Sequence, residues 1–217
     1  MPEMIITQDQ IDTLCNEISI EDRVQDHHAQ VAGKLARMRR SSENPEIPAL
    51  EQELEGHIRS LTEPKPHSAD FIHAFKTEFR RFVEKALRAT RDYPLFERLV
   101  ALEGLIGLMF FRIDRERRRY PRFPLAAPMT LALEPETRVF AEDISSMGIS
   151  FYAPLSLPLG RRFEVRCGST HLTVDILRVT GMEPEQMGCF RTVCAFSNPL
   201  PWEKIRDLIK ASLETAS

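Results

Sequence analysis

Apolar residues in the first half of the chain recur every three or four positions, the spacing of one helix face. Ile11, Leu14, Cys15 and Ile18 make a short stripe. Val24, His28, Val31, Leu35 and Met38 alternate steps of four and three over about two heptads, too short for an autonomous coiled coil but sufficient for a bundle helix. Pro45 and Pro48 are read as a break before a helix carrying Leu50, Leu54, Ile58 and Leu61. A second break, Thr62 to His67, precedes a helix capped by Ser68 or Asp70, with Phe71, Phe75, Phe79, Phe82 and Leu87 on one side. Asp92-Tyr93-Pro94 opens the last helix, proline standing in its first turn. Between Leu99 and Ile113 that helix is apolar almost all round, which requires a central place in a bundle or a face shared with a second copy of the chain.

Near residue 120 the period changes. Short β-branched runs follow, cut by Pro and Gly. The runs are Pro128 to Leu133, Arg138 to Ile144, Ile149 to Ala153, Arg161 to Cys167, His171 to Thr180 and Phe190 to Phe196. Six short strands with this punctuation predict a small barrel or sandwich. After Asn198-Pro199, the residues Trp202, Ile205, Leu208 and Ile209 form the apolar side of a closing helix. The chain is therefore read as α+β and multidomain. A helical domain occupies residues 1–114, a β domain with its closing helix residues 115–217, and Arg115 to Pro124 is the hinge.

Composition narrows the classes. Of 217 residues, 42% are hydrophobic and 28% charged, with a formal net charge of -3, so neither a nucleic-acid coat nor a polybasic membrane binder is indicated. Cys15, Cys167, Cys189 and Cys194 form no Cys-x-x-Cys pair and have no histidine at zinc-ligand spacing. They are read as reduced thiols of a cytoplasmic protein. The N-terminus lacks the basic and apolar regions of a secretory signal. The apolar run ending at Ile113 is shorter than the roughly 20 residues of a membrane span. No phosphate-binding loop, nucleophile elbow or metal-ligand spacing appears, so no catalytic or metal role and no cofactor are expected.

Two segments carry chemistry. Residues 112–122 read RIDRERRRYPR, six arginines where a helix must end because Tyr120 precedes Pro121. Guanidinium groups in such a loop grip phosphate bidentately or pair with guanine O6 and N7. About twenty residues later, at the turn between the second and third runs, stands Asp143-Ile144-Ser145-Ser146-Met147-Gly148. Its aspartate can accept from guanine N1 and N2, its serine can donate or accept, and its glycine permits positive φ or a close approach of the ligand. The bland readings are a solvated helix end for the arginines and a hydrogen-bonded β-turn for the second segment.

Arg118-x-x-x-Arg122 followed by Asp143-x-Ser145-x-x-Gly148 resembles the paired signature of the PilZ family, RxxxR and [DN]xSxxG, in order, separation and position at the start of a small β domain. The resemblance covers roughly residues 115 to 213 and leaves the helical half unassigned. It implies a six-stranded antiparallel barrel with an adjoining helix and a cyclic di-GMP ligand. Arg118 and Arg122 would then contact phosphate and guanine, with Asp143, Ser145 and Gly148 around the other side of a guanine. It also implies that a basic residue at Arg117 accompanies an intercalated ligand dimer. On this basis the chain is expected to be a bacterial second-messenger effector whose arginine loop orders on the ligand and changes its contacts with an unidentified protein partner. Homo-oligomerisation through the helical half is a further expectation. A contrasting class is a structural adaptor that binds no nucleotide, and a third is nucleic-acid binding by the arginines with a steep salt dependence.

Overall fold

The structure, a computed structural model, describes residues 6–62, 68–111, 120–125, 127–181 and 189–215. Its elements run in the order α1 (Gln8–Glu17), α2 (Ile20–Ser41), α3 (Glu46–Thr62), α4 (Ala69–Thr90), α5 (Tyr93–Phe111), β1 (Phe123–Pro124), β2 (Pro128–Leu131), β3 (Thr137–Ile144), β4 (Gly148–Ala153), β5 (Arg162–Cys167), β6 (Thr170–Gly181), β7 (Phe190–Phe196) and α6 (Trp202–Thr215). Two compact units emerge. Helices α2 to α5 make one; the strands, α6 and α1 make the other.

In the helical unit, α5 packs against both α2 and α4, and α3 lies against α2 and α4. Its residues Leu95, Phe96, Leu99, Leu102, Leu105, Ile106, Leu108 and Phe110 are all buried, so an all-round apolar helix takes the central place the pattern demanded. The α4 aromatics face inward as a ladder, Phe75 stacking on Phe79 at 5.7 Å between centroids. Ser68 accepts from the Phe71 amide at 3.2 Å and starts α4. Asp92 does the same for Leu95 at 2.7 Å at the head of α5. Two local readings need correction. Pro48 lies inside the first turn of α3, where its missing N–H breaks no helical bond, so it does not interrupt the helix. On α2 the buried histidine is His27, which the stripe omitted; His28 is half-buried at the boundary of that face and lies 3.2 Å from Glu55. A step of three from Val24 serves the same helix face as a step of four, and packing chose the former.

The strands close into a barrel. All pairings are antiparallel, and the order β3–β2–β5–β6–β7–β4 returns to β3 through the β3–β4 pairing, a ring of six. This selects the barrel over the sandwich and leaves none of the ring strands with an unpaired edge. The two-residue β1, absent from the sequence reading, pairs with the end of β3, placing Phe123 opposite Ile144 and Pro124 opposite Asp143. Val139, Ala141, Phe151, Val165, Val174, Ile176 and Cys194 are among the buried strand residues. Trp202 at the start of α6 packs its ring 5.3 Å from that of Phe123, and Ile205, Leu208, Ile209 and Leu213 are buried along the helix. Helix α1 is tied to α6 by Glu17 and Lys210, 2.6 Å apart. Among the described residues, no helix is long and apolar enough to cross a membrane.

Candidate functional site

The site is built where β3 turns into β4. Strict alternation along β3 would send Glu142 and Asp143 to opposite faces of the sheet. The β3–β4 register shifts between Ala141 and Asp143, the mark of a β-bulge. A bulge adds one residue to one strand and re-aims the side chains around it. Ala141 and Ile144 stay in the core, while Glu142 and Asp143 are both only partly covered. Both carboxylates reach Arg191 of β7, a strand that pairs with β4 and not with β3.

Arg191 donates from Nε to Glu142 Oε2 at 2.5 Å, and the Tyr152 hydroxyl donates to Glu142 Oε1 at 3.1 Å. Tyr152 and Arg191 are direct partners across the β4–β7 ladder, so the register presents both to Glu142. The second terminal nitrogen of Arg191 lies 3.8 Å from Asp143 Oδ2. From the other side, Arg122 Nη1 approaches the same oxygen at 3.7 Å. Asp143 also takes a hydrogen bond from the side chain of Ser150, its cross-strand partner. Burial pushes the Asp143 carboxyl above its usual range and the Glu142 charge adds to this; Arg122, Ser150 and Arg191 pull the other way.

The turn after β3 is held by Ser145. Its hydroxyl accepts from the amides of Met147 at 3.3 Å and Gly148 at 3.2 Å, and donates to the Gly148 carbonyl at 3.3 Å. The Ser145 amide donates to that carbonyl as well, at 2.8 Å. Outside the turn, the Ser146 and Met147 carbonyls accept from Leu200 and Phe196, which anchors the loop to the chain leading into α6. The demand on Gly148 is steric. A Cβ at this position would stand 2.1 Å from the Cys194 carbonyl oxygen. The sequence offers positive φ or a close approach of a ligand as the reason for a glycine here; in the structure the approaching group is the neighbouring strand β7.

Of the residues singled out from sequence, Arg122 and Asp143 face one another, and Ser145 with Gly148 forms the adjoining turn. Arg117 and Arg118 lie outside the described residues. Sequence reasoning missed Glu142, Tyr152 and Arg191. The pair Glu142-Asp143 was visible as adjacent acids, but nothing local announced the bulge or the strand that would face them. A groove of about 680 Å³ lies elsewhere on the barrel unit, between α6 and the β5–β6 turn, and none of the motif residues lines it. Among the described residues no group of three or more His, Cys, Asp or Glu side chains could hold a metal ion.

Residues 116–211 match the model of the PilZ domain, and the helical region is not part of that match. Among solved structures, the chain is similar to the PilZ domain with c-di-GMP of YcgR from Escherichia coli, at 22% identity and a TM-score of 0.34, covering 46% of this chain and 95% of that one. It is also similar to YcgR in complex with c-di-GMP from the same organism, at 22% identity and a TM-score of 0.33, covering 46% and 48%. A third is the Bacillus subtilis inhibitor of motility MotI/DgrA, at 17% identity and a TM-score of 0.34, covering 46% and 51%. The chain thus spans about half the length of the two longer relatives. No curated protein sequence matches.

Proposed function

We propose, on the premise that residues 116–211 carry a PilZ domain, that this protein is a cytoplasmic receptor for cyclic di-GMP. In this reading Arg118 and Arg122 hold phosphate and guanine, while Asp143 accepts from a guanine N1 and N2. Ser145 and Gly148 shape the turn beneath it. The observation that carries the reading is the convergence of Arg122 on Asp143 across 3.7 Å, since it joins the two motifs into one acceptor-and-donor surface. Pairing a guanidinium with a guanine or a phosphate is among the stronger charge-assisted contacts. Ligand held by residues 112–122 bears directly on the segment joining α5 to β1. Binding is thereby coupled to the contacts of the helical half with a protein partner or a second copy of the chain. A ligand can shift such an equilibrium only by its differential affinity for the two arrangements.

Titration calorimetry of the full chain with cyclic di-GMP tests this, beside Arg118→Ala/Arg122→Ala and a GTP control. Saturable heat lost in the double variant supports the receptor, and the fitted ratio shows whether one ligand or an intercalated pair enters. A folded protein with neither heat nor thermal shift at high ligand rejects it and leaves the adaptor reading, in which the helical half acts through protein contacts alone.

A further inference from the structure

We infer that Arg191 is a further ligand-reading residue of this site, which together with Asp143 selects the N1–O6 edge of guanine over the corresponding edge of adenine. The inference rests on the cyclic di-GMP reading and names what makes that site specific.

Three features of the geometry carry it. The first is spacing. Arg191 and Asp143 are 3.8 Å apart at their nearest charged atoms, beyond hydrogen-bond length. They stand side by side as a donor and an acceptor, neither consumed by the other. Guanine offers the complementary order along its Watson–Crick edge, donors at N1 and N2 beside the acceptor O6. A carboxylate takes the N–H groups while a neighbouring guanidinium N–H takes O6. Adenine reverses the order, with an acceptor at N1 and a donor at N6. In the same pose it sets acceptor against carboxylate and donor against guanidinium, and a site whose polar groups are left unpaired in this way rejects the wrong ligand strongly.

The second feature is the hold on Arg191. Its Nε is engaged by Glu142, which the Tyr152 hydroxyl fixes in turn. One edge of the guanidinium is therefore used for positioning, and a terminal nitrogen is left toward Asp143. The third is pre-organisation. The Arg191 side chain is 22% exposed against 38% for Arg122. Its backbone is paired on both sides, with Tyr152 of β4 and Thr180 of β6, so less conformational freedom is lost when it meets a ligand. Glu142 is the positioning residue and Arg191 the contact.

The test compares affinities of the full chain for cyclic di-GMP and cyclic di-AMP in the parent protein, Arg191→Lys and Glu142→Gln/Arg191→Met. The lysine variant keeps a cation opposite Glu142 but has no second arm to offer the ligand. The double variant removes both charges, so neither leaves an uncompensated buried ion. With the fold checked by thermal melting, each is expected to weaken cyclic di-GMP binding at least tenfold and to narrow its preference over cyclic di-AMP. Unchanged affinity and an unchanged guanine-to-adenine ratio in a folded variant would overturn the role of Arg191 and leave the receptor standing. A parent protein that takes up no cyclic di-GMP would overturn both.

Discussion

Gly148 and Cys194 are pressed together so closely that a single added carbon on Gly148 would sit 2.1 Å from the Cys194 carbonyl oxygen. The obstacle is backbone in the neighbouring strand, so no side-chain rotation relieves it. Gly148→Ala must part β4 from β7 at the residue where Gly148 pairs with Ala195. Overpacking of this kind costs about 1–3 kcal/mol or more. The variant is expected to melt several degrees lower whether or not ligand is present, measured by calorimetric or dichroism melts. A variant as stable as the parent would show that this glycine is retained for the ligand and not for the barrel.

Asp143 allows stability and the proposed ligand binding to be tested separately. Burial and the neighbouring Glu142 raise its carboxyl pKa above the ordinary 3.8. Its protonated form is thus favoured by the fold, and the stabilisation from it is present at acid pH and fades as pH rises through the raised value. Replacing it with Asn removes that titration. Relative to Asp143→Asn, the parent is expected to lose stability as pH climbs from about 3.8. At neutral pH the Asn variant should bind cyclic di-GMP at least tenfold more weakly. Urea melts across pH 3 to 7 beside calorimetry check both halves of the expectation.

His57 sits among Phe75, Phe79 and Phe82, with ring centroids 5.3 to 5.7 Å away, and its Nε2 is buried without a hydrogen-bond partner among the described residues. Burial lowers its pKa below 6.5, against the pull of Glu53 and Glu78, and burial lowers that of His27 as well. Neutral imidazole is the form that fits. Stability is therefore complete above about 6.5 and is lost as pH falls through the depressed values. His57→Phe is expected to flatten that acid loss, read from denaturant midpoints at pH 7.5 and 5.5. An unaltered pH slope would assign the sensitivity elsewhere.

Thr192 is fully buried and its hydroxyl has no hydrogen-bond partner among the described residues. An unmade bond of this kind carries a desolvation cost of about 1–3 kcal/mol that a methyl group would not. Thr192→Val is accordingly expected to leave the melting temperature unchanged or raise it. A fall of more than a few degrees would reveal a bond to that hydroxyl.

The division between what was legible in the sequence and what was not follows the range of the interactions. Ser68 and Asp92 were visible as helix starts because a cap satisfies amides only three residues away. The barrel strands were legible because the period of two and the Gly and Pro punctuation are local; Phe190–Phe196 lies where the pattern put it, and β1, too short to show a period, does not. The paired motif located Arg122, Asp143, Ser145 and Gly148. It offered a ligand as the reason for Gly148, where the structure has the Cys194 carbonyl.

The sequence by itself determined the helical and β halves, the strand positions, the closing helix and the turn that carries the motif, since each is set by contacts between residues near one another in the chain. Only the tertiary structure decided that six strands close into a ring, that α1 groups with the barrel, and that the bulge at Ala141–Asp143 exposes two adjacent carboxylates to Arg191. The physical reason is register. Which residue of β7 faces Tyr152, and through it Glu142, is settled by the whole set of strand pairings closing together, and no local pattern encodes it.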